Sequence, residues 1–209
     1  MKKLAAVLAS LVVLSFCSTS HAAITNVTYA SDNDGAFNCT PWTWTGWTTD
    51  PLSVSVSGDQ YWAPGHLLLN VLTTGAEDPT LNINNSINND TSFAWTEFTV
   101  NLTMAVPFTL SNVGVTVPGS WGVVSYDATA NPVGPNYVAT VVYDTGAAIP
   151  NDGTSTIDFG YSVHFSGSPS YTITQEMIPV PEPGTLGLVG VGALLLVQSV
   201  RHRRGVSRG

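Results

Sequence analysis

Apolar side chains recur at every second position through much of the chain. Phe98, Val100, Leu102, Met104 and Val106 alternate with Glu97, Thr99, Asn101, Thr103 and Ala105. Ile157, Phe159, Tyr161, Val163 and Phe165 alternate with Asp158, Gly160, Ser162 and His164, while Leu52, Val54 and Val56 alternate with serines. Tyr171 and Ile173 alternate with threonines. A period of two places one set of side chains on a core and the other in water, which is the signature of half-buried antiparallel strands. Further strands are expected near 24–30, 66–72, 81–87, 113–117, 121–127 and 137–143. Turns are expected at Asp34-Gly35, Ser57-Gly58-Asp59, Pro118-Gly119, Asn131-Pro132 and Asn151-Asp152-Gly153. Nine or ten short strands with this punctuation, about that number from the turn spacing, predict an all-β antiparallel β-sandwich of jelly-roll or immunoglobulin-like type.

Both ends break the alternation. Lys2 and Lys3 precede an apolar run from Leu4 to Phe16, and Ser20-His21-Ala22 offers the small residues that a signal peptidase reads. A signal peptide over 1–22 is expected. At the other end an apolar run spans 185–200, sixteen residues or about 24 Å as a helix at ~1.5 Å per residue. It predicts a single short transmembrane helix, held by Arg201, Arg203 and Arg204 as a membrane stop in a cytoplasmic tail at 201–209. The expected layout is therefore signal peptide 1–22, β-sandwich domain 23–176, linker 177–184, helix 185–200 and basic tail 201–209, with residues from Gln175 on already read as leaving the last strand.

Charge sharpens this picture. The six basic residues stand at positions 2, 3, 201, 203, 204 and 208, so positions 4–200 hold no lysine or arginine. Positive charge lies only where both ends face the cytoplasm during export. Of the fourteen acidic residues only Glu182 follows position 180. A body without cations excludes nucleic-acid binding, which needs them on phosphates, and excludes P-loops, Schiff-base lysines and arginine clamps. The string Asp158-Phe159-Gly160 copies a kinase motif without its lysine.

The order Pro181-Glu182-Pro183, then the Gly/Leu/Val run, then arginines resembles the PEP-CTERM sorting signal of Gram-negative bacteria, over about the last thirty residues. The resemblance implies recognition by an exosortase, a membrane-embedded cysteine protease or transpeptidase, with processing near Pro181, Glu182 and Pro183. It further implies an exopolysaccharide- or biofilm-producing host. Exosortase and signal peptidase are thus the expected partners. The expected course is the inner membrane transiently, with the N-terminus outside, then the cell surface or extracellular matrix.

Candidate chemistry within the body is sparse. Trp42-Thr43-Trp44-Thr45-Gly46-Trp47 is the sharpest local feature. In extended backbone Trp42 and Trp44 share a face, and with Trp47 they would suit stacking on sugar rings of an exopolysaccharide, with Asn38, Asp50 and Gln60 bonding hydroxyls. The alternative is that these indoles cover an end of the core, and Trp62, Trp95 and Trp121 are expected there. Ser31-Asp32-Asn33-Asp34-Gly35 offers oxygen ligands, but an EF-hand would need ligands at Ala30 and Pro41. An Asx turn or an irregular calcium site is left. No nucleophile elbow or zinc motif accompanies His66 and His164. The expectation is a non-catalytic structural or adhesive surface protein without metal or cofactor, the alternative a carbohydrate-binding module.

Overall fold

The computed structural model describes residues 24–30, 34–40, 44–45, 51–73, 79–116, 121–165 and 170–182. The expected signal peptide, the helix at 185–200, Pro183, the arginines at 201, 203 and 204, and the turn at Pro118-Gly119 lie outside them. Among the described residues no helix is long and apolar enough to cross a membrane.

The described residues form thirteen strands, in order: β1 (Ile24–Ala30), β2 (Phe37–Thr40), β3 (Trp44–Thr45), β4 (Leu52–Gln60), β5 (Gly65–Thr73), β6 (Thr80–Asn89), β7 (Trp95–Met104), β8 (Phe108–Thr116), β9 (Gly122–Tyr126), β10 (Asn131–Val133), β11 (Asn136–Ile149), β12 (Thr156–Phe165) and β13 (Ser170–Pro181). The first sheet runs β1-β5-β13-β7-β11-β10, with β9 also on β11; the second runs β2-β4-β6-β12-β8, with β3 also on β4. All pairings are antiparallel, as the alternation predicts, except one: β4 lies parallel to β6, from Leu52 opposite Leu81 to Gln60 opposite Asn89. A parallel neighbour needs a long crossover. Here β5, which lies in the other sheet, supplies it.

The sheets face one another across one core. Phe98 and Tyr143 of the first sheet meet Phe159 of the second at 5.5 and 5.2 Å between ring centres. Phe165 meets Tyr171 edge-on at 4.4 Å. Trp95 is fully buried and Trp121 nearly so, as expected. Trp62 is a correction: it is 50 % exposed in the β4–β5 connection, beside Tyr61.

Two turn expectations fail for a stated reason. Ser57-Gly58-Asp59 continues β4, and Gly58 is there because the Phe37 ring lies on it: a Cβ would sit 2.5 Å from that ring. Asn131-Pro132 forms the short β10, and the turn follows at Gly134, whose φ is +58°. The turn at Asn151-Asp152-Gly153 is present. Backbone N–H groups of Thr154 and Ser155 donate to Asp152, which draws its carboxyl down to about 2.

The linker expected at 177–184, with its onset at Gln175, is corrected over most of its length. β13 continues to Pro181 and is the middle strand of the first sheet. Gln175 and Met177 are fully buried. Gln175 tolerates burial because Tyr161 donates to its Oε1 and its Nε2 donates to Asn85. Beyond Met177, opposite Gly65, β13 pairs with β7 alone, so Pro179 and Pro181 fall where the strand has a neighbour on one side only. That is where a missing backbone donor is tolerated.

Candidate binding cleft on the outer face of the second sheet

The outward positions of four adjacent strands form ranks of small polar residues. Ser53, Asn82, Ser162 and Ser111 are consecutive partners across β4, β6, β12 and β8. The next rank is Ser55, Asn84, Gly160 and Gly114, followed by Ser57, Ser86, Asp158 and Thr116. Alternation explains the polarity, since the intervening Val54, Ile83, Phe159 and Leu81 face the core.

The middle rank pairs two glycines, and their missing side chains leave a cleft of about 480 Å³. Ser53, Asn82, Asn84, Asn112, Asp158 and Ser162 line it. A Cβ on Gly160 would come within 2.8 Å of Asn84 Oδ1, whereas one on Gly114 would meet nothing within 4 Å.

A β-bulge shapes one wall. The register of β8 slips between Gly160 and Ser162, and Asn112 adopts φ +51° there. A left-handed non-glycine residue is uncommon, and asparagine is among the types that tolerate it. From this position Asn112 Nδ2 donates to Ser162 Oγ at 3.1 Å, Ser162 Oγ donates to Asn82 Oδ1 at 2.6 Å, and Asn82 Nδ2 donates to Ser53 Oγ at 3.3 Å. The rank is thereby fixed across four strands. Among the described residues no side-chain hydrogen bond engages the Asn84 amide or the Asp158 carboxylate.

At the other side of this rank, His164 bonds Ser111 through Nε2 at 2.6 Å and Thr80 through Nδ1 at 2.9 Å. Both ring nitrogens are thus occupied by hydroxyls. His66 stands apart, 3.7 Å from Asp34 and 3.6 Å from Glu176. Asp34 Oδ1 accepts from Ala36 N–H at 2.7 Å, an Asx turn. Among the described residues no cluster of three or more His, Cys, Asp or Glu could hold a metal ion. Burial pushes the half-buried Cys39 thiol up to about 11.

The residues singled out by sequence are dispersed. Trp44 lies in β3 opposite the core-facing Val54, with Thr45 opposite Ser53; Trp42, Trp47 and Asp50 lie outside the described residues. Asn38 is exposed on β2, but Gln60 is fully buried and donates to Met177 O and Trp62 O, which removes it as a ligand. Sequence reasoning did not find the cleft. Its only local trace is the run of serine, asparagine and glycine at outward positions, and nothing in the chain order says that Gly114 faces Gly160.

Pro181 closes β13 opposite Trp95, and Thr96 Oγ1 lies 3.4 Å from the carbonyls of both Val180 and Pro181. Glu182 follows, half-buried. Residues 179–204 match the family model of the PEP-CTERM protein-sorting motif. The C-terminal region is a PEP-CTERM sorting signal. A PEP-CTERM motif indicates an exported protein that an exosortase processes at the membrane on its way to the surface. The matched stretch begins inside a core strand, so the PEP-CTERM signal and the folded domain share residues 179–181. No curated protein and no solved structure matches the chain.

Proposed function

We propose that the protein is a non-catalytic structural or adhesive component of the cell surface or extracellular matrix, associated with exopolysaccharide and biofilm. Signal peptidase removes 1–22, the helix at 185–200 holds the precursor in the inner membrane with Arg201, Arg203 and Arg204 in the cytoplasm, and exosortase releases it. The two facing sheets support reading the domain as a β-sandwich. One observation carries the functional reading: the PEP-CTERM motif begins within β13, where the strand is still paired to β7, so what the sorting step delivers is the folded β domain itself.

The test replaces Pro181, Glu182 and Pro183 by alanine in a host that carries an exosortase. The expected result is a membrane-held precursor that keeps its tail and an emptied surface fraction. An unchanged mature mass with unchanged surface display refutes the reading.

A second reading is a carbohydrate-binding module acting through Trp42, Trp44 and Trp47, although the register sets Trp44 opposite the fully buried Val54. A protein with all three tryptophans changed to alanine should lose most of its retention on insoluble polysaccharide while unfolding at the same temperature. Equal retention by a folded triple variant removes the tryptophans from the contact.

A further inference from the structure

We propose that the glycine-floored cleft on the outer face of the second sheet binds a neutral polysaccharide chain, with Asn82, Asn84 and Asn112 bonding its hydroxyls. The inference deepens the adhesive reading and rests on it for where the ligand is met.

The lining decides the ligand class. Five of the side chains that line the cleft, Ser53, Asn82, Asn84, Asn112 and Ser162, are uncharged and can both donate and accept. A sugar hydroxyl also does both, so each can meet an amide or serine without a change of protonation on either side. An apolar ligand would strip water from these groups and return no hydrogen bonds, leaving each of them unsatisfied. An anionic polymer finds no cation, since positions 4–200 contain no lysine or arginine, and it meets the Asp158 carboxylate. An extended peptide binds sheets by adding to an edge, whereas the cleft lies on a face whose middle strands, β6 and β12, are paired on both sides.

Shape agrees with chemistry. About 480 Å³ falls within the ~300–1,000 Å³ usual for ligand clefts, and this one is an open trough across the strands. It exists because three positions depart from what an ordinary strand prefers. Glycine within a strand is less favourable than alanine, and two are set side by side. Asn112 holds a left-handed backbone at the bulge, the kind of local strain that collects where a surface is shaped for a ligand. The Asn112–Ser162–Asn82–Ser53 chain then holds the wall rigid, which lowers the ordering cost of binding. The Asn84 amide and the Asp158 carboxylate, both on the glycine side of that wall, are left for the incoming hydroxyls.

The experiment is affinity electrophoresis of the purified full-length chain in mild detergent. Gels contain a mixed-linkage β-glucan, a galactomannan, dextran or, as the acidic arm, polygalacturonate. Gly114→Leu fills the trough, since a side chain there enters open space and no positive φ forbids it. Asn84→Ala removes an exposed amide without touching the core. At least one neutral polymer should retard the wild type, with no retardation by polygalacturonate. Gly114→Leu should weaken that retardation at least tenfold and Asn84→Ala severalfold, with thermal unfolding of both variants unchanged.

The proposal is overturned if none of the neutral polymers retards the wild type, if polygalacturonate retards it as strongly, or if folded Gly114→Leu and Asn84→Ala migrate as wild type does. Should Gly114→Leu unfold, Asn84→Ala alone decides. Binding by the purified chain is independent of sorting. A chain that binds but is never processed refutes the export reading alone, and one that is displayed but does not bind refutes this inference alone.

Discussion

Trp95→Ala is expected to destabilise the domain by about 3–5 kcal/mol, the usual cost of removing a buried large aromatic. The side chain is fully buried, its ring centre lies 5.2 Å from that of Phe98, and its Nε1 donates to Thr91 Oγ1 at 3.0 Å. Alanine therefore leaves a cavity between β7 and the aromatic cluster and also deletes a buried hydrogen bond. Trp95 is in addition the residue opposite Pro181, so the loss falls where the sheet ends and the sorting signal begins. Typical domains are stable by about 5–15 kcal/mol, so much of the total is at stake. Denaturant unfolding would show it as a large fall in midpoint at unchanged slope. A loss below about 1 kcal/mol would contradict the burial.

Asn89→Asp should be nearly as damaging, although it changes one atom. Asn89 is fully buried at the end of β6 and uses its whole amide. Nδ2 donates to Phe93 O at 3.0 Å and to Ile149 O at 2.9 Å, and Oδ1 accepts from Thr91 N–H at 3.1 Å and Thr91 Oγ1 at 2.6 Å. A carboxylate there would point negative charge at two carbonyls in a dry site, for a loss of about 3–5 kcal/mol. The sign of the pH dependence follows. The new acid would have a folded-state pKa raised above its unfolded value of ~3.9. The proton binds the folded state more tightly, so the deficit against wild type shrinks as pH falls from 8 toward 5 and is largest at high pH. A deficit that is flat or grows on acidification would show that the side chain has left the site. Because Asn89, Thr91 and Trp95 form one hydrogen-bonded chain, the double variant should lose less than the sum of the two single losses.

Much of the fold was legible because strands with one wet face write their orientation into the sequence. β7 follows the alternation from Phe98 to Met104 and β12 follows it except at the buried Ser162, and β1 spans the expected 24–30. What failed had one physical origin, side chains whose environment is set by distant partners. Gln60, Asn89 and Gln175 are fully buried because carbonyls, hydroxyls and amides far along the chain satisfy them, whereas by type they read as surface. The second half of β13, from Gln175 on, reads as a linker for that reason, aided by prolines whose tolerance depends on β5 reaching no further than Met177. Gly58 reads as a turn until the Phe37 ring is seen against it. Trp62 and Trp121 cannot be told apart by residue type, yet one is half in water and the other inside. The tail, by contrast, is a linear signal, so its order of proline, apolar run and arginine could be read without any folding argument. The cleft lies at the other extreme, since it needs the register of β6, β8 and β12 before its glycines become neighbours.

The place of β13 also governs assembly. The final strand occupies the centre of its sheet, with β1 and β5 on one flank and β7, β11, β9 and β10 on the other. A nascent polypeptide halted before residue 170 has both flanks but no hydrogen-bonded seam between them. The first sheet can be zipped shut only after nearly the whole length has emerged, so a chain that must pass through a narrow translocation pore stays unlatched until the passage is almost over.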